Sequence, residues 1–141
     1  MDLSLSHEEK TDHQLSSLLM RVLEGYTIGL CSVLGEGVGG VTQVVGKDIW
    51  YTLKQEAENR EYQIDSKNPK KALNDLFEIL NEFYKIIDNY QIESNDNSIK
   101  IKIKGCKFRD YTDKLENKGI KRQLGCPVLI IIRAMLKEVR G

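Results

Sequence analysis

The sequence predicts an α+β fold: a helical hairpin and a long third helix packed with a small antiparallel sheet, closed by a final apolar helix. Three observations carry it. Between Leu15 and Leu34 the apolar residues recur at spacings of three and four, the period of a helix. Ile99, Ile101 and Ile103 alternate with Lys100, Lys102 and Lys104, the period of a strand with one wet face. Asn68-Pro69 and Gly125-Cys126-Pro127 each open an apolar run with proline near the first helical position, where its missing N–H costs nothing.

Taken in order, Met1 to about Thr11 is polar and reads as a flexible tail, with His7 in it and His13 beside it. Asp12 is placed to cap the first helix. That helix carries Gly25 and Gly29 four residues apart, hence on one face, where they suit close approach of another helix or a ligand. Gly35, Gly37 and Gly40 spell G-x-G-x-x-G, the dinucleotide fingerprint. The fingerprint needs a strand before it, whereas the upstream segment is helical in period and about twenty residues long, beyond an ordinary strand. Those glycines therefore read as the joint between two helices. Tyr62-Gln63-Ile64-Asp65, as a strand ending in a ribose-binding acid, keeps the cofactor alternative open.

The second helix runs from about Val38 to Glu58, with Val38, Val41, Val45, Ile49 and Leu53 inward and Trp50 at the edge of that face. Residues 59–67 are polar, with at most a short strand over 62–64. The third helix follows Asn68-Pro69 and continues through Leu73, Leu76, Phe77, Leu80, Phe83 and Tyr84 to Ile87. Ser94 to Ser98 is a turn between strands over 90–93 and 98–104. A charged connection from Phe108 to Gln123 leads to the last helix, Val128–Val139. That helix is apolar around most of its circumference, so it is buried or pairs with another subunit.

A chain of 141 residues is expected to form one domain, here residues 12–141, with a core that needs neither disulfide nor metal. Three cysteines are no disulfide framework and suit a reducing, cytoplasmic setting. The polar N-terminus is no signal peptide, and the longest uninterrupted apolar run, Val128–Ile132, is far short of a membrane span. Residues 1–97 hold 9 Lys/Arg against 17 Asp/Glu, and residues 98–122 hold 9 against 3. The near-neutral total argues against general affinity for nucleic acid. The basic segment, with Phe108 and Tyr111 interleaved, is the one place where bases would stack and phosphates be contacted.

Three features together resemble a known family: the glycine-broken helix pair (Arg21 to Gly25 through Gly46 to Ile49), the long third helix leading into an amphipathic hairpin, and Gly105-Cys106-Lys107-Phe108 followed by Gly125-Cys126-Pro127. The pattern is similar to the 4-vinyl-reductase-like, hydrocarbon-binding type of domain, which shares its fold with small subunits of the TRAPP vesicle-tethering complex. The resemblance implies a homodimer with an apolar pocket between helices and sheet, and a binding or sensory role rather than catalysis. It also implies metal ligation at Cys106 and Cys126, with zinc as the candidate ion. The chain departs from the pattern in stopping at Gly141, without the further cysteine-bearing strand pair.

Gly25, Gly29, Trp50, Phe83 and Ile103 are the expected pocket or helix-contact positions, where missing side chains leave room and large apolar ones line it. No catalytic residue is assigned. Cys126, just before a helix, is the one candidate nucleophile, since a helix N-terminus favours the thiolate, and only His13 or His7 offers an imidazole base. The expected function is non-enzymatic binding of a small apolar molecule by a cytoplasmic homodimer. The alternatives are a scaffold subunit without ligand, and a metal or thiol enzyme using Cys106 and Cys126.

Overall fold

In a computed structural model of the chain, residues 7–65 and 67–140 are described. Helix α1 (His7–Leu34) runs into a short 3₁₀ turn (Gly35–Gly37) and then α2 (Val38–Asn59). There follow α3 (Pro69–Glu82), strands β1 (Asn89–Ser94) and β2 (Ile99–Lys104), and helices α4 (Arg109–Asn117), α5 (Arg122–Gly125) and α6 (Pro127–Arg140). The architecture is α+β, mostly helical, with a two-stranded antiparallel sheet. The first helix begins five residues before the expected Asp12 cap, so Asp12 lies inside it; Met1–Ser6 of the predicted tail lie outside the described residues.

The glycine joint is where the sequence places it. Gly35 takes a positive φ of 54°, a conformation cheap only without a Cβ, and this breaks the helix between Leu34 and Val38. Residues 27–34 are helical, so no strand feeds the glycines and the nucleotide-fingerprint alternative fails. Nor is 62–64 a strand: among the described residues the sheet is β1 and β2 alone. Beyond the joint α1 touches both α2 and α4 sparingly, and its inner side meets Tyr111 and Leu115 of α4.

Helix α3 starts as predicted, the Asn68 side chain accepting from the N–H groups of Lys70 (3.0 Å) and Lys71 (3.3 Å) with Pro69 at the first turn. It ends earlier than predicted, at Glu82. Lys85 takes a left-handed φ of 52°, and the Ile86 N–H reaches back to the Leu80 carbonyl, so Ile87 enters the core from a turn. In the hairpin Tyr90 faces Ile103 and Ile92 faces Ile101 on the inner side, while Glu93 and Gln91 face Lys100 and Lys102 on the wet side. Tyr90 stacks on Phe77 of α3 at 5.0 Å, joining sheet to helix.

The main core gathers Trp50 and Leu53 from α2, Leu73, Leu76, Phe77 and Leu80 from α3, Ile87, and Val128, Ile131, Ile132 and Met135 from α6. Of the predicted inner face of α2, Val38 and Leu53 are buried, Val41 and Ile49 half-buried and Val45 exposed, while Gly46, Trp50 and Ala57 are also inward. The cause is the α2–α6 crossing. A Cβ on Gly46 would lie 2.6 Å from the Ile130 carbonyl oxygen, so the helices meet backbone to backbone there. The apolar surplus of α6 is thus absorbed by α2, α3 and the sheet. A second, smaller cluster of Tyr111, Leu115 and Ile120 takes Met20, Ile28 and Cys31 of α1 as partners.

Candidate functional site

The best-formed concavity is a half-enclosed groove of about 750 Å³ between α2 and α6, within the size range of small-molecule sites. Beside it Gly46 of α2 approaches Ile130 of α6 closely. Its walls are apolar, from Val44, Trp50, Leu124, Ile130 and Ala134. Three cations, Lys47, Arg133 and Lys137, stand among its lining residues, with Thr42 and Gln43 adding polar contacts.

One carboxylate, Glu138, sits at the same groove, and its charge is already engaged. It accepts from Lys54 Nζ at 2.6 Å and from the indole N–H of Trp50. The Lys54 hydrogen bond first, and then the Trp50 hydrogen bond, hold its carboxyl below the ordinary glutamate range against the opposing effect of burial.

The structure scatters the expected pocket residues. Trp50 lines the α2–α6 groove. Gly25 and Gly29 line an open depression on the outer side of α1, with Tyr26, Leu30, Val33 and Leu34. Phe83 lies beyond the end of α3, edge-on to Tyr62 at 6.0 Å and beneath the Arg60 guanidinium at 4.4 Å. Ile103 packs on the core from β2. The cations of the groove were not singled out in the sequence, because nothing in it tells which helix crosses α2 or at what level.

Cys106 and Cys126 do come together: both are half-buried against the main core, and Cys106 is among the groups acting on Cys126. Among the described residues, no group of three His, Cys, Asp or Glu converges to hold a metal ion. Cys126 lies just before α6, where the backbone N–H groups of Leu129 and Val128 favour its thiolate. Burial nevertheless pushes its thiol above the ordinary range, outweighing those two N–H groups. This weighs against the alternative of an activated thiolate: the helix N-terminus favours charge, and desolvation wins. His13 is on an exposed turn of α1. In the basic segment Tyr111 is buried and Phe108 half-buried, so the interleaved aromatics are core residues, not a stacking surface. Arg122 there is paired with Asp113 (2.8 Å) and Glu116, and Lys118 with Glu24 (3.7 Å).

Helix α1 shows a different kind of surface. Leu15, Leu18, Leu19, Val22, Leu23, Tyr26, Leu30, Val33 and Leu34 are all exposed. By length and composition the helical stretch Asp12–Asn59 is apolar enough to cross a membrane, with a window of mean hydropathy 1.4. Uninterrupted apolar runs miss this, because serines, glycines and a threonine are spaced among the leucines. In the folded chain the opposite side of α1 is tied to charged α4, through Thr27 to the Tyr111 hydroxyl at 2.7 Å and Glu24 to Lys118.

No curated protein and no solved structure matches the chain. A family model does, described as "Putative rubredoxin C-terminal domain" (RdxA_C), over residues 18–141. It overturns the likeness to 4-vinyl-reductase-like, hydrocarbon-binding and TRAPP-type domains. That likeness rested on the order of elements and on two cysteines near helix and strand ends, features that unrelated α+β domains share. Because the match takes in the glycine joint, the hairpin and both core helices, the chain belongs to the RdxA_C family.

Proposed function

We propose that the chain is a non-enzymatic binding domain that holds a small apolar molecule with an acidic end in the α2–α6 groove. One observation carries the reading: three cations border an apolar floor, and the carboxylate beside them is already bound to Lys54 and Trp50. An apolar body would lie on Val44, Ile130 and Ala134, and an anionic head would meet Lys47, Arg133 or Lys137. The half-buried thiol of Cys126, pushed above its ordinary range by desolvation, favours binding over thiol catalysis. The free state of the three cysteines agrees with a reducing, cytoplasmic setting.

The family description speaks of a rubredoxin. An iron centre of the all-sulfur kind takes four thiolates. This chain has three cysteines, one thiolate short of that set. The residues present do not fit such a centre, nor a closed zinc site, which also takes four ligands.

Trp50 is the only tryptophan and lines the groove, so its emission reports occupancy. Titration with decanoate should saturate and shift that emission, and decylamine should not. Replacing Arg133 and Lys137 together by glutamate should weaken decanoate at least tenfold. A response equal for the two amphiphiles, or none from either, would refute the reading.

A further inference from the structure

Among the described residues the outer face of α1 stands largely open, and its residues specify what would cover it. Leu15, Leu18, Leu19, Val22, Tyr26 and Val33 are 43–84% exposed on one side of the helix. With their flanking leucines they leave on the order of 900 Å² in water, about what one partner contributes to a stable standard-size interface and more than the patch an ordinary monomer exposes.

Spacing gives the shape of the partner. Leu15, Val22 and Gly29 repeat every seven residues, as do Leu19, Tyr26 and Val33, with alternating steps of four and three between the two sets. That is the period with which one helix packs along another. The two charges of this stretch, Arg21 and Glu24, fall outside the repeat, and Glu24 is held by Lys118. Nothing on the seam would repel an identical seam.

The glycines add an independent reason. Gly25 and Gly29 weaken an exposed helix, yet a Cβ at either would meet no atom within 4 Å. The fold itself makes no use of the space they leave. A helix crossing closely at that level does.

We infer that α1 is a self-association surface: the seams of two copies pair about a twofold axis, crossing at the Gly25–Gly29 notch. The arrangement is isologous, so each copy supplies both the notch and the side chains that fill its partner's notch. The contact places dimerisation on α1 instead of α6, which gives Val128, Ile131, Ile132 and Met135 to the core. A bilayer suits the seam less well. The other side of the same helix is hydrogen-bonded and ion-paired to α4, whose Arg109, Asp110, Lys114 and Glu116 are exposed and would have to enter the lipid with it.

Sedimentation velocity of the full chain between 1 and 100 µM tests this. A dimer is expected, reduced to monomer by Leu19→Glu with Val33→Glu at unchanged helical circular dichroism, since both side chains are exposed. Gly29→Leu is the sharper variant. It adds apolar surface but closes the notch, so a crossing at that level predicts at least tenfold weaker association, while nondescript stickiness predicts stronger. A wild-type monomer at 100 µM, or a dimer that Gly29→Leu leaves intact or tightens, overturns the inference. So does flotation of wild-type monomer with phosphatidylcholine vesicles that the double variant abolishes. The α1 variants should leave the decanoate titration of Trp50 unchanged, so the seam and the groove stand or fall separately.

Discussion

At Gly46 the backbone of α2 passes so close to Ile130 that a single methyl group decides whether the two helices can meet. Alanine is the better helix former by about 1 kcal/mol, yet its Cβ would press on a carbonyl oxygen and on the Ile130 side chain at 2.6 Å. Backbone cannot swing aside as a side-chain tip does, so the clash dominates. Gly46→Ala should destabilise by about 1–3 kcal/mol in urea unfolding, the range for overpacked cores; a stabilised variant would mean that the helices separate freely. Cys126 shows the same contest between a local and an environmental effect. The N–H groups at the start of α6 favour its thiolate, but burial prevails and raises the thiol pKa, which lowers the thiolate fraction at neutral pH. Alkylation by iodoacetamide at pH 7, followed by peptide mass spectrometry, should run slower at Cys126 than for free glutathione.

Among the elements, α3 shows how completely local chemistry can fix a helix start. Asn68 supplies the cap oxygen for two N–H groups and Pro69 occupies the turn. Asn68→Ala should cost about 1 kcal/mol, read as a shift in the urea midpoint. The pairing of α2 with α6 adds an ionic tie, Glu138 with Lys54 and Trp50. Because the carboxyl of Glu138 is depressed in the folded chain, its contribution is present above the ordinary glutamate range and disappears as pH falls through the lowered value. The side chain is 49% exposed, so solvent screening limits the tie to about 1 kcal/mol or less. Glu138→Gln should lose that amount at pH 7 and flatten the acid limb of the stability–pH curve. The sequence placed the starts of these helices to within a residue, and of the inner face it gave α2 only Val45 is exposed, while Gly46, Trp50 and Ala57 are buried. Counting apolar residues puts Val45 inward, whereas the close approach of α2 to Ile130 of α6 selects Gly46.

For the whole molecule, two clusters of unequal size divide the work. The larger one surrounds Phe77, which is fully buried between α3, β1 and α6. Phe77→Ala should cost about 3–5 kcal/mol in chemical denaturation, enough to leave a domain of this length barely folded. The smaller one, under α4, anchors only the inner side of α1 and leaves the seam open. By itself the sequence determined what depends on neighbours along the chain: the glycine joint, the Asn68 cap, the isoleucine–lysine alternation and the start of α6. Caps, turns and periods act within a few residues, so they can be read there. Only the tertiary structure decided that α2 crosses α6 at Gly46, that Lys47, Arg133 and Lys137 border one groove, and that Gly25, Gly29, Phe83 and Ile103 stand apart. Those outcomes are set by which surfaces meet across long stretches of chain, and an apolar residue is equally apolar whichever partner it finds.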